Sequence, residues 1–299
     1  MLEFDSVAKS FGDKRVLREL SLVVKPGELY GFCGANGAGK TTAMRIALGV
    51  LTADSGDVRW QGRPVDAGSR RRFGYMPEER GLYAKMTPRD QLVFFAGLSG
   101  VAPATARRRA DEWIERLGVV LGPKDMLEKL SLGNQQKVQL IASLIHDPEV
   151  LVLDEPFSGL DPVAVDAMAE VLLEFARKGV PTLFSSHQLD LVERLCDRVG
   201  IIRDGALVAE GTVDHLRRSA GSGQLEIALS GAPDDWAASV PGVRVVATTG
   251  AKVTLEVEDG VPAQRILAAA QQLGRLEHFG RRDPALADIF RESVAGSAR

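Results

Sequence analysis

Gly34-Ala35-Asn36-Gly37-Ala38-Gly39-Lys40-Thr41-Thr42 is the stretch on which the reading of this chain turns. A strand-like run, Glu28 to Cys33, precedes it, and an apolar-periodic segment, Ala43 to Leu51, follows. Glycines at Gly34, Gly37 and Gly39 let the backbone bend so that successive N–H groups point inward at an anion. The helix expected to follow adds the positive end of its dipole. Lys40 supplies a point charge for the outer phosphates, and the Thr41 hydroxyl is placed to ligate Mg²⁺. A strand before and a helix after separate a phosphate loop from an ordinary Gly-rich turn. The expectation is a nucleoside triphosphate site.

A second half of that site is expected far downstream. Val150-Leu151-Val152-Leu153 is a continuous apolar run, the pattern of a strand buried on both faces of a parallel sheet. It carries Asp154 and Glu155 at its C-terminal end, where ligands bind in such sheets. Asp154 is the expected Mg²⁺ carboxylate, and Glu155, pointing the other way, is free to polarise a water. Two adjacent acids alone would read as a solvated loop; paired with the phosphate loop they read as a site.

The whole chain bounds the alternatives. At 299 residues there is room for two domains, and a net charge of −3 argues against a nucleic-acid binder driven by bulk charge. The runs Arg70-Arg71-Arg72 and Arg107-Arg108-Arg109 read as solvated faces. Only Cys33 and Cys196 are present, so no disulfide framework is expected, and a reducing cytoplasm suits the composition. No secretory leader is apparent, and no apolar run approaches the roughly 20 residues of a membrane span.

Organisation follows from the periodicities. Leu2 to Phe4, Leu20 to Val24 and Asp57 to Trp60 suggest a small antiparallel sheet, and residues 88–146 are largely helical. Pro181 to Phe184 reads as a strand, and Asp204-Gly205 as the tip of a hairpin. Ser219-Ala220-Gly221-Ser222-Gly223 is expected to be a linker between domains at 1–218 and 224–299. The second segment orders as strand, helix (Asp234 to Ser239), strand, strand, helix, strand and a last helix, compatible with a ferredoxin-like α+β module.

One further segment narrows the class. Leu130-Ser131-Leu132-Gly133-Asn134-Gln135-Gln136-Lys137 opens a helix with Ser131 as N-cap, and the first-turn N–H groups make an anion site. This segment resembles the signature of ABC-type ATPases, usually Leu-Ser-Gly-Gly-Gln, and the other motifs of that family follow in order over about residues 2–217. The resemblance implies an α/β P-loop NTPase (ABC ATPase) core with a small antiparallel β subdomain and a helical subdomain. It places Phe11 where an aromatic stacks on adenine and Ser158-Gly159-Leu160-Asp161 where a loop joins two active sites, and it makes His187 the switch histidine. It also implies a head-to-tail dimer in which MgATP on one phosphate loop is covered by Ser131, Gly133 and Asn134 of the other subunit.

Two departures stand out. Leu132 and Asn134 replace a glycine and the glutamine of the usual signature, while Ser131 and Gly133 are kept, so a working site is expected. In Tyr75-Met76-Pro77-Glu78-Glu79-Arg80, Glu78 stands where a magnesium-sensing glutamine is usual, and a carboxylate can also ligate Mg²⁺. Pro-Glu-Glu-Arg-Gly-Leu-Tyr together with Gly-Asn-Gln-Gln-Lys is similar to a bacterial subfamily energising ABC-2-type exporters, its sodium-efflux ATPases included. That similarity implies a motor subunit that binds a separate transmembrane permease, lies at the inner face of the cell membrane, and exports an ion or small molecule. Two other functions compete: a soluble mechanochemical ATPase acting on ribosomes or DNA, and an ATP-controlled dimerising regulator. The first is disfavoured because its relatives carry two ATPase units or a long coiled-coil insertion.

Overall fold

The computed structural model describes residues 1–299 apart from 80, 123–124, 221–222, 234, 259, 283 and 296–299. Two compact units emerge, one built on Met1–Val213 and grouped with the end of the last helix from Ser293, and one on Asp214–Glu292.

The first unit runs β1 (Leu2–Phe11), β2 (Lys14–Val24), β3 (Leu29–Gly34), α1 (Lys40–Ala47), β4 (Ser55–Trp60), β5 (Arg63–Pro64), α2 (Ala67–Arg70) and β6 (Phe73–Met76). It continues through α3 (Pro88–Leu98), α4 (Pro103–Arg116), α5 (Leu132–Leu144), β7 (Val150–Leu153), α6 (Pro162–Arg177), β8 (Thr182–Ser186), α7 (Leu189–Leu195), β9 (Arg198–Arg203) and β10 (Ala206–Thr212). Its main sheet has the order β10-β9-β3-β8-β7-β6. Every pairing in it is parallel except β9 with β10. Burial on both faces explains the unbroken apolar run of β7, all four residues of which are buried. Asp204 and Gly205, with φ of 49° and 80°, form the tight β9–β10 turn that the Asp-Gly pair demands.

A second sheet, β2-β1-β4-β5, is antiparallel and shares a core with α1, where Leu17, Leu20 and Phe4 meet Met44 and Ile46. Helices α3 and α4 form the helical subdomain with α5. Ala96, Ala106 and Ala110 are fully buried there, small enough to let helices approach closely. Trp113, on the face shared with Ala110 and Leu117, stacks on Phe175 of α6 at 6.3 Å. Val138, Ile141 and Ile145 form the buried stripe of the α5 segment.

The second unit contains α8 (Val213–Ala220), β11 (Gln224–Ser230), β12 (Val243–Thr249), β13 (Lys252–Val257), α9 (Ala263–Leu273), β14 (Arg275–Arg281) and α10 (Leu286–Ala295). The sheet order β12-β13-β11-β14, with every neighbour antiparallel, is the split βαβ arrangement of ferredoxin-like modules. Leu225, Ile227, Val253 and Leu255 pack on Ile266 and Ala270.

Two expectations are corrected. Ser219 and Ala220 of the expected linker are the last turn of α8, anchored by buried Leu216; Gly221 and Ser222 lie outside the described residues. The helix expected over Asp234 to Ser239 is a single 3₁₀ turn, Trp236–Ser239, and Asp234 lies outside the described residues. The turn buries Trp236 and Ala237 in the core of the second unit.

Candidate functional site

The phosphate loop leaves β3 at its C-terminal end and enters α1 through Gly39, whose φ is 113°. A Cβ at Gly39 would stand 2.7 Å from Leu17 Cδ2 and 2.9 Å from the Val16 carbonyl, so only glycine fits. Gly37, with φ of 81°, has open space where its Cβ would be, as expected of backbone that faces a ligand. The Lys40 ammonium is buried, and it donates to the Gly34 carbonyl at 2.7 Å and the Ala35 carbonyl at 3.3 Å. A buried ammonium held only by carbonyl dipoles calls for an anion beside it. Cys33, directly before the loop, is fully buried. Burial pushes its thiol up to about 12, partly offset by Lys40, so it stays an inert core residue.

Strand β7 delivers Asp154 and Glu155, which are 1% and 9% exposed. Ser185, the fourth residue of β8, joins the two: its hydroxyl donates to Asp154 Oδ1 at 2.6 Å and accepts the Glu155 N–H at 2.8 Å. Asp154 Oδ2 is buried without a hydrogen-bond partner among the described residues. An unpaired oxygen on a buried carboxylate, in a residue that lines the same cavity as Thr41 and Glu78, fits a hard cation with oxygen ligands. Among the described residues no group of three or more His, Cys, Asp and Glu could hold a metal alone. The donor set therefore suits a cation completed by phosphate and water oxygens, as Mg²⁺ is. Glu155 takes φ of 51°, a left-handed conformation costly for a side chain of its size, and its Oε2 lies 2.8 Å from His187 Nδ1.

These elements enclose one cavity of about 470 Å³. Asn36, Gly37, Gly39, Lys40, Thr41 and Thr42 line one side, and Glu78, Asp154 and Glu155 another. Gly34, Ala35 and Ala38 build the loop without lining the cavity, the first two as carbonyl partners of Lys40. His187 reaches the cavity only through Glu155 and is itself largely exposed. Arg80, at the end of the Glu78 loop, lies outside the described residues.

Other expected site residues stand apart from this cavity. Phe11, at the end of β1, is 49% exposed, with Lys9 Nζ 5.5 Å over its ring. Ser131 caps α5 by accepting the Asn134 N–H at 3.3 Å, and Asn134 Nδ2 contacts the Val120 carbonyl at 3.5 Å. Asp161 caps α6, its carboxylate accepting the Ala164 N–H at 2.9 Å. Sequence reasoning passed over Lys14 and Val16, which line the cavity from β2, and Ser185. Lys14 and Val16 carried no sequence signal, since they reach the cavity only because β2 packs against the phosphate loop at Gly39. Ser185 carried none beyond its place at a strand end.

Fold and site together define a P-loop ATPase of the cassette type. Residues 17–158 match the ABC transporter family, and residues 211–294 match the C-terminal domain of DrrA1-3-like ATP-binding proteins. The chain is 40% identical to the Bacillus subtilis (strain 168) ABC transporter ATP-binding protein YhaQ, over 98% of each chain. It is 36% identical to the bacitracin transport ATP-binding protein BcrA of Bacillus licheniformis, over 73% of this chain and 72% of that one. A solved ATP-binding subunit of an ABC transporter superposes with a TM-score of 0.69 at 32% identity, covering 74% of this chain and 93% of the other. The chain belongs to the ABC transporter ATP-binding subunits that carry a DrrA-like C-terminal domain, and it is an ATPase.

Proposed function

We propose that the chain is the motor subunit of an ABC-2-type exporter, closing head to tail with a second copy or a paired subunit around two MgATP. One observation carries this reading. The Ser131–Asn134 end of α5, with Ser131 and Leu132 exposed and Gly133 and Asn134 half-buried, contributes nothing to the cavity formed by the chain's own phosphate loop. A helix N-terminus of that composition is an anion site, and a second subunit supplies the anion. Asp161 and exposed Val163, at the start of α6, extend the same contact surface.

Within that frame Lys40 and the loop N–H groups hold the outer phosphates, Phe11 and Val16 contact the base, and Asp154, Thr41 and Glu78 hold Mg²⁺. The cation, when bound, neutralises charge developing on the transferred phosphoryl group. Glu155 accepts the proton of the attacking water as the bond from the γ-phosphorus to the ADP oxygen breaks. His187 keeps the Glu155 carboxylate aimed at that water. Export as the task is supported by relatives named for bacitracin transport and for linearmycin resistance in Bacillus species.

Among the described residues no helix is long and apolar enough to cross a membrane. In this reading a separate permease provides the path and holds the chain at the inner membrane face, as the names of the exporter relatives support. The docking surface proposed for it is aromatic. Tyr83, Phe94 and Leu98 are 53%, 43% and 64% exposed, and Tyr83 stacks on Phe95 at 6.2 Å just beyond the Glu78 loop. The cargo would be an ion or small molecule chosen by the permease.

Glu155→Gln tests the catalytic core of this reading. The variant is expected to bind MgATP, to hydrolyse it more slowly by roughly 10²–10⁴, and to accumulate an ATP-bound dimer in light scattering. Normal turnover would move the catalytic role elsewhere, and a variant that stays monomeric with MgATP bound would remove the head-to-tail arrangement.

A further inference from the structure

Two buried polar side chains of α5 are left without a task by the nucleotide chemistry. Gln136 and Gln139, on the inner face of α5, are 5% and 3% exposed among the fully buried Val138, Leu140 and Ile141. A buried amide on an otherwise apolar face is costly unless its hydrogen bonds are made. Gln136 Nε2 donates to the Glu155 carbonyl at 3.3 Å and to the Pro156 carbonyl at 3.0 Å. Gln139 Nε2 donates to the Pro77 carbonyl at 2.5 Å, immediately before Glu78. Both amides thus grip loop backbone that no strand pairs, at the two carboxylate-bearing loops of the cavity.

The Glu155 grip bears on conformation. Its φ of 51° persists only where surrounding groups fix the peptide on both sides. Ser185 fixes the Glu155 N–H, and Gln136 fixes the two carbonyls that follow. Gln136 stands two residues beyond Asn134 on the same helix, so it moves with the exposed Ser131 end as one rigid piece.

We infer that Gln136 is a positioning residue that ties the chain's own Glu155 to the end of α5 facing the partner's nucleotide, with Gln139 tying the Glu78 loop to the same helix. The inference rests on the head-to-tail reading above. When the Ser131 end closes on the partner's phosphates, α5 shifts and carries the Glu155–Pro156 peptide with it. The carboxylate then meets its water only in a closed dimer. Hydrolysis at one site therefore depends on nucleotide at the other.

The test uses the full chain with Gln136→Leu, which keeps volume and removes both donors, and Gln136→Asn, which keeps polarity but withdraws the donors by one methylene. Both are expected to bind MgATP within about twofold of the parent affinity, because no nucleotide contact is touched. Turnover should fall by about ten- to a hundredfold at unchanged KM, the cost of a misplaced catalytic group. The Hill coefficient for ATP should drop towards unity. Without nucleotide, the amides of Glu155, Phe157 and Ser158 should exchange hydrogen faster than in the parent.

In a Glu155→Gln background, either change should cost nothing further, because its effect runs through Glu155. Parental turnover in Gln136→Asn, or losses that multiply in the double variant, would overturn the inference. If Gln136→Leu does not fold, the Asn variant decides alone. Should Glu155→Gln itself turn over normally, the proposed function fails first, and the two failures remain distinct.

Discussion

Ser185→Ala removes a single hydroxyl but breaks two hydrogen bonds on which the site depends. In the native chain that oxygen donates to Asp154 Oδ1 at 2.6 Å and accepts the Glu155 N–H at 2.8 Å, with Ser185 fully buried. Loss of the first strips a buried carboxylate of its only donor among the described residues, since Asp154 Oδ2 has none there, and bonds to charged groups contribute about 1.5–3 kcal/mol. Loss of the second leaves a buried backbone N–H unpaired, at about 1–3 kcal/mol. The void is too small to recover both through one water, so a net loss of about 3–5 kcal/mol is expected. For a domain of this size that lowers Tm by about 6–20 °C. Urea unfolding followed by the far-ultraviolet signal should show a lower midpoint at unchanged slope for the transition of the first unit. Magnesium with ATP should restore part of the difference, because the cation satisfies the Asp154 oxygens. A loss under about 1 kcal/mol would refute the reasoning, since it would mean that the hydroxyl is not shared between the two acids.

How much of this was legible beforehand follows from how local each feature is. The phosphate loop could be read from its spacing because its geometry is set by contiguous backbone, and the structure shows why Gly39 tolerates no substitute. Asp154 and Glu155 could be read because a doubly buried strand ends beside them. Ser185 could not, for it lies 31 residues from Asp154 and meets it only through the pairing of β7 with β8. Lys14 and Val16 belong to the antiparallel sheet, and only tertiary packing brings them to the cavity. The linker misread has a different source. Ser and Ala end α8 without breaking it, so the helix outlasts its apolar pattern. For Ser131, Gly133 and Asn134 a single chain shows a capped helix and no more, because their expected ligand belongs to another subunit.

Two further expectations address the rest of the chain. Lys40→Ala withdraws a buried charge from the phosphate end of the cavity and should weaken MgATP binding by about 10- to 150-fold, at the 1.5–3 kcal/mol of one charge-assisted contact; an unchanged Kd by calorimetry would sink the assignment of the loop. Truncation after Arg218 removes the sheet of the second unit, whose buried core of Leu225, Ile227, Leu255 and Ile266 is its own. None of the residues lining the nucleotide cavity lies in that unit, so the shortened chain should bind MgATP with the parental Kd. Its dimerisation or its retention by the proposed permease should change instead, the outcome expected of a module that serves assembly rather than nucleotide binding. Lost nucleotide binding in a shortened chain that still melts cooperatively would show that the two units share one site.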